Sequence, residues 1–447
     1  MKREQNDAIR MLIKRIRYAI LLPVLFLLCG CTEQKEELPA EETIVPAEKE
    51  ASGETEYHLE KMVLFSRHNL RSPISSGDAG IDAMSIYDWH EWTSMPGELS
   101  LKGEQLEEKM GEYFREWMES EGMDLSGDRM RFYANSMQRT IRTSECFLKG
   151  FMPEADIPVE THAEYGTMDP VFMPSLQYCS ASYDNAIQAA YEEMKQNDQR
   201  YLRLQEDYDL LADVTGYEQT QGYAEGWLAP LDALDTQLVL YPDNPPGIEG
   251  SLVRACRLSD ALLLQYYEEP DLQKAGFGRV LSEEEWRRIA EIRELYNDTQ
   301  YSLELISASV AHPLLEVLEQ EMTDDQRVFA LICGHDANLT SVLSAFGVTD
   351  YALPHTPECH TPIGGMFAME LWKDEEGQRY VRTEMIYQNA AQIRDISPLS
   401  MEYPPERYRL SFEGLNKNED GMYLYEEWME RMHQAVNCPE YDGADCA

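Results

Sequence analysis

Three short, mostly apolar runs stand out along the chain: Lys61 to Ser66 (KMVLFS), Met130 to Ala134 (MRFYA) and Val328 to Cys333 (VFALIC). Runs of this length with little polar alternation predict strands buried on both faces. Each gives way at once to polar residues: Arg67-His68-Asn69-Leu70-Arg71-Ser72-Pro73, Asn135-Ser136-Met137-Gln138-Arg139-Thr140 and Gly334-His335-Asp336-Ala337-Asn338. In open α/β sheets ligands bind at the carboxyl ends of the strands, so the three segments are expected to meet in one crevice. Met366 to Trp372 and Tyr380 to Tyr387 flank a Lys-Asp-Glu-Glu-Gly turn and predict a late hairpin.

Between residues 176 and 300 the period changes to 3.6. Ile187, Ala190, Tyr191 and Met194 share one helical face, and Ser282 with Glu285 forms a capping box ahead of Trp286, Ile289, Ile292 and Tyr296. The pattern predicts an α/β core with a mainly parallel central sheet and an α-helical insertion that roofs the crevice.

Residues Lys2 to Arg17 carry six basic side chains, and Ala19 to Leu28 are nearly all apolar. A spanning helix needs about 20 apolar residues, so residues 1–30 are expected to be a signal peptide. The stretch ends in Leu28-Cys29-Gly30-Cys31, which resembles a bacterial lipobox and marks Cys31 for lipidation. The expectation is an extracytoplasmic protein held on a bacterial membrane by its acyl chains without crossing it. Residues 31–57, rich in Glu, Ala, Pro and Thr, read as a disordered tether, leaving residues 58–447 as the folded domain.

With 38 Lys and Arg against 82 Asp and Glu, the formal charge is −44, which speaks against nucleic acid as a partner. The same acidity makes a basic motif conspicuous. Of the nine cysteines, seven remain after removal of the signal and acylation of Cys31; Cys438 and Cys446 are a candidate local pair, and connectivity is otherwise open. No Cys and His spacing fits a zinc site, and neither a metal nor another cofactor is expected.

Placing His68 between Arg67 and Arg71 suits phosphate chemistry. Guanidinium forks match phosphoryl oxygens, and imidazole is among the few side chains able to carry a phosphoryl group covalently. Taken in order, RHNLRSP, YANSMQRT, HDAN and TPIGG resemble the histidine acid phosphatases. Asn69 replaces the usual glycine, a change that resembles the periplasmic glucose-1-phosphatases within that family. The resemblance implies a three-layer core of phosphoglycerate mutase-like type and metal-free hydrolysis of phosphomonoesters. It further implies His68 as nucleophile, Asp336 as proton donor, and Arg67, Arg71, Arg139 and His335 as phosphate ligands.

Three functions remain in view: a sugar phosphatase, a phytase, and a lipoprotein that captures phosphorylated ligands without turnover. Pro73 is followed by Ile74-Ser75-Ser76-Gly77-Asp78 with no cation, which favours a singly phosphorylated sugar over inositol hexakisphosphate. Trp89 and Trp92 have two readings, a sugar-stacking wall or buried packing. Asp169 also has two, pocket residue or turn cap. Oligomeric state is left open.

Overall fold

The structure, a computed structural model, describes residues 56–74, 80–176, 181–241 and 243–437. The expected signal peptide, Cys31, the tether up to residue 55 and the Cys438/Cys446 pair lie outside the described residues. Among the described residues, Cys146, Cys256, Cys333 and Cys359 are free thiols.

The strands are β1 (Tyr57–Arg67), β2 (Met130–Ala134), β3 (Val159–Glu160), β4 (Phe329–Gly334), β5 (Met366–Asp374), β6 (Arg379–Tyr387), β7 (Glu406–Arg409) and β8 (Tyr423–Leu424). They form one sheet in the order β8-β6-β5-β1-β4-β2-β3, with β7 also paired to β6. The neighbours β1, β4, β2 and β3 run parallel. The expected hairpin, β5 with β6, adds the antiparallel half along the other edge of β1. Arg67 stands opposite Gly334 and Ala134 opposite Cys333, so the three expected strands end side by side.

Alternation along β1 divides its apolar residues between two layers. Met62 and Leu64 pack with Met110, Phe114 and Phe147 of helices α1 (Leu101–Ser120) and α2 (Gln138–Phe151). The next stretch of chain is helical: α3 (Ala181–Asn197), α4 (Leu204–Thr215), α5 (Ser251–Glu268) and α6 (Glu283–Tyr301), with a small ribbon of Gln237–Val239 against Gly247–Glu249. It has its own core, built on Tyr191, Tyr208, Leu211, Leu262, Trp286 and Ile289, which Leu70 of the basic motif joins. Ser282 and Glu285 form the capping box read from the sequence. The other sheet face, with Val63 and Phe65, is covered by α7 (Glu304–Thr323), α8 (Asp336–Ala345) and α9 (Tyr425–Val436) through Leu314, Leu315, Val342 and Trp428.

Lys61, the one cation inside the first apolar run, is buried and donates to the carbonyls of Glu321, Met322 and Asp324 at 2.8–2.9 Å. It caps the last turn of α7, where carbonyls lack helical partners. Burial pushes its ammonium down to about 8.

Candidate active site

The basic motif leaves β1 under main-chain control. His68 N–H donates to Gly334 O at 3.1 Å, Arg67 N–H to Gly365 O at 2.9 Å, and Gly364 N–H to His68 O at 3.3 Å. Gly364 has φ +68°, and a Cβ there would stand 2.6 Å from the Asn69 amide nitrogen, which explains the glycine in TPIGG. Asn69 in turn donates through Nδ2 to Glu107 at 2.7 Å and accepts the Leu70 N–H through Oδ1 at 2.8 Å. Glu107 is fully buried, and burial pushes its carboxyl up to about 8.

His68, Arg71, Arg139, His335 and Asp336 line one cavity of about 270 Å³. The two imidazole rings lie 5.5 Å apart, inclined at 70°. His68 Nδ1 is 2.9 Å from Asn69 O. A carbonyl only accepts, so Nδ1 carries the hydrogen and Nε2 presents its lone pair. Burial, then Arg139, His335, Arg71 and Arg67, hold the His68 imidazole well below its ordinary value. Burial, Arg139, Arg71 and Arg67 do the same to His335. Both rings therefore remain neutral in mildly acidic solution.

The arginines are held differently. Arg71 donates to both oxygens of Asp260, at 3.0 and 3.2 Å, while lining the cavity. Arg67, expected as a phosphate ligand, is not among the residues that line the cavity; it is buried, with Nη1 donating at 2.6 Å to Glu358 and to Thr361 O. Arg139 donates to Gly97 O at 3.5 Å and has Nη2 3.4 Å from His335 Nδ1. Among the described residues no carboxylate forms an ion pair with Arg139. Burial and neighbouring Arg71 push its guanidinium down to about 9, the signature of a buried cation short of counter-charge.

Asp336 opens α8, and its Oδ2 accepts from Asn297 Nδ2 at 2.8 Å and pairs with Arg293. Arg293, Asn297, Asp260 and Glu358 were not singled out from the sequence. Arg293 had a signal: it falls on the same helical face as Ile289 and Tyr296, where a charge needs a buried partner. Glu358 lies in a coil with no periodicity to betray it.

Two open readings close. Trp89 and Trp92 pack against the helical core and border a different hollow from the one holding His68. Asp169 caps the short turn Pro170–Phe172, accepting from Val171 N–H at 3.0 Å and from the Tyr133 hydroxyl at 2.7 Å.

A strand-end histidine among buried arginines, with a carboxyl at the start of the helix that follows the neighbouring strand β4, defines a phosphoryl-transfer hydrolase. Residues 58–385 match the histidine phosphatase superfamily (branch 2), and the chain belongs to that superfamily. Within it the chain is 32% identical to a glucose-1-phosphatase of Salmonella typhimurium, over 85% of this chain and 93% of that one. It is 26% identical to a phytase of Escherichia coli, over 90% and 95% of the two chains. The solved phytase of Citrobacter braakii superposes with a TM-score of 0.77 at 26% identity, covering 86% of this chain and 99% of the other. The protein is a histidine acid phosphatase.

Proposed function

We propose that the enzyme hydrolyses singly phosphorylated sugars of the glucose 1-phosphate type, through a phosphohistidine at His68. The observation that carries the substrate reading is the rest of the cavity lining, which includes Ile74, Met168, Met173, Pro174, Pro245 and Tyr301, none of them cationic. The segments that follow Ile74 and Leu176 in sequence, 75–79 (SSGDA) and 177–180 (QYCS), contain no Lys or Arg either. A substrate with six phosphates needs cations beyond the reacting group. Arg71 and Arg139 line the same cavity as the two histidines, where they suit a single phosphoryl group.

In this reading His68 Nε2 attacks phosphorus as the bond to the leaving oxygen breaks, and that oxygen takes a proton from Asp336. Water then attacks the phosphohistidine and gives a proton back to the Asp336 carboxylate. The N–P bond pair returns to Nε2, and inorganic phosphate leaves. Arg71, Arg139 and His335 offset charge on the equatorial oxygens, with Arg67 adding its positive charge through the ion-pair frame it shares at Glu358, each donor being worth on the order of 10²- to 10³-fold in rate.

Phytate hydrolysis is the second reading, favoured by the likeness to the Citrobacter braakii phytase, and one scaffold hosts both activities. Measuring kcat/KM for glucose 1-phosphate and for inositol hexakisphosphate across acid pH decides between them. A larger value for the hexakisphosphate overturns the first reading. Rapid quenching should trap an acid-labile phosphoryl group on the protein that is absent in His68→Ala.

A further inference from the structure

Asp336 must present a proton to the departing oxygen and then accept one from water, so which carboxyl oxygen does this work matters. Both neighbouring donors address the same atom. Asn297 Nδ2 donates to Oδ2 at 2.8 Å, and the Arg293 guanidinium pairs with that same oxygen. Both donors lie on α6, four residues apart and therefore on one face of the helix, and both are buried, at 5% and 7% exposure. The inserted helical unit thus reaches down to the one carboxylate the reaction uses.

Arg293 is itself held on three sides. Its Nε donates to Asp260 at 2.9 Å, Nη1 lies 3.5 Å from Glu358, and the remaining nitrogen faces Asp336. Asp260 also binds Arg71, and Glu358 also binds Arg67. A buried guanidinium persists only when paired, and this one is shared among three carboxylates, two of which anchor the arginines beside His68. Its position is therefore fixed by the same ionic frame that places Arg67 and Arg71.

We propose that Arg293 and Asn297 are positioning residues for the proton donor: together they occupy Oδ2 of Asp336, leaving Oδ1 as the oxygen that carries the proton to the leaving group. Donors on Oδ2 stabilise negative charge there and orient the carboxyl plane. The inference rests on Asp336 acting as the acid, and it assigns to the helical insertion a part in protonation that the sheet does not supply.

The test compares two esters that differ in need for a proton. Nitrophenolate leaves unaided, whereas the alkoxide of β-glycerophosphate does not. In Asn297→Ala and Arg293→Met the ratio of kcat for β-glycerophosphate to kcat for p-nitrophenyl phosphate is expected to fall about 10-fold or more, since general acid catalysis contributes about 10²- to 10⁴-fold in all. Arg293→Lys, which keeps the charge, is expected to recover most of the ratio. A ratio that falls less than threefold in Asn297→Ala, the variant gentler to folding, overturns the proposal, as does equal loss on both esters. Wild-type enzyme inactive on both esters refutes the hydrolytic reading itself. Wild type active on β-glycerophosphate but not glucose 1-phosphate refutes only the sugar assignment.

Discussion

Nδ2 of Asn135 lies 2.6 Å from Nε2 of His335, and the amide cannot turn round because its Oδ1 accepts the Asp169 N–H at 2.9 Å. The amide therefore donates to Nε2; Arg139 Nη2 is also a donor but stands farther off, 3.4 Å from Nδ1, so the closer Asn135 contact decides and puts the hydrogen of the neutral His335 ring on Nδ1. A ring fixed in this tautomer is a donor toward an incoming phosphoryl oxygen. In Asn135→Ala the tautomer is released, and kcat/KM is expected to fall on the order of 10-fold, short of the loss of a whole oxyanion donor. ¹⁵N chemical shifts of His335 report the tautomer directly; an unchanged Nδ1–H form in the variant would refute the assignment.

Arg139 should govern both rate and the acid side of the pH profile. It ranks next after burial among the causes that lower the His68 value. A depressed histidine stays neutral, and nucleophilic, as pH falls below 6.5, and activity is lost only when pH drops through the lowered value. Arg139→Met removes that cation, so the acid limb of kcat/KM should move to higher pH while the plateau drops by about 10²- to 10³-fold. An acid limb that stays in place would show that burial alone sets it.

Glu107 gives a stability prediction of the opposite hand. Its folded value of about 8 lies above the ordinary 4.5, so between those limits the folded state holds a proton that the unfolded chain releases. Stability contributed in this way is complete below pH 4.5 and declines as pH rises toward 8. Glu107→Gln keeps an acceptor for Asn69 and cannot ionise. Its thermal midpoint should match wild type near pH 4.5 and exceed it at pH 8. Parallel curves across that range would contradict a buried neutral carboxyl.

Gly364→Ala should be disproportionately harmful for a single methyl group. It meets both a positive φ and the 2.6 Å approach to Asn69, the residue adjoining the nucleophile. Backbone strain of this kind costs about 1–3 kcal/mol, and displacement of Asn69 adds a loss of turnover to the loss of stability. Denaturation midpoints and kcat measured together check both. Gly122, also at positive φ but with open space around its missing Cβ, serves as the control, where Ala should lower stability without touching kcat.

Much of the framework was legible in sequence because burial on two faces leaves an unbroken apolar run. That signal marked β1, β2 and β4, and the polar residues after each strand marked the cavity. The start of β1 was less visible: Tyr57 to Leu59 pair with β5, the register shifts between Leu59 and Lys61, and the mixed polarity of these residues hides a strand. The frame of Asp260, Arg293 and Glu358 was hidden for a different reason. Its members come from α5, α6 and a coil, and no local pattern records which distant charges meet. Trp89 and Trp92 read from the sequence either as a sugar-stacking wall or as packing, because aromatic bulk is recruited to both, and here they pack against the helical core.

Five uncharged residues of the cavity lining take no part in the ion pairs that hold the site. Ile74, Met173, Pro174, Pro245 and Tyr301 stand outside the chain of ion pairs that runs from Arg67 through Glu358, Arg293 and Asp260 to Arg71. Natural drift or laboratory selection acting on those five positions is free to retarget the alcohol half of the ester while the phosphorus chemistry beneath is inherited unaltered.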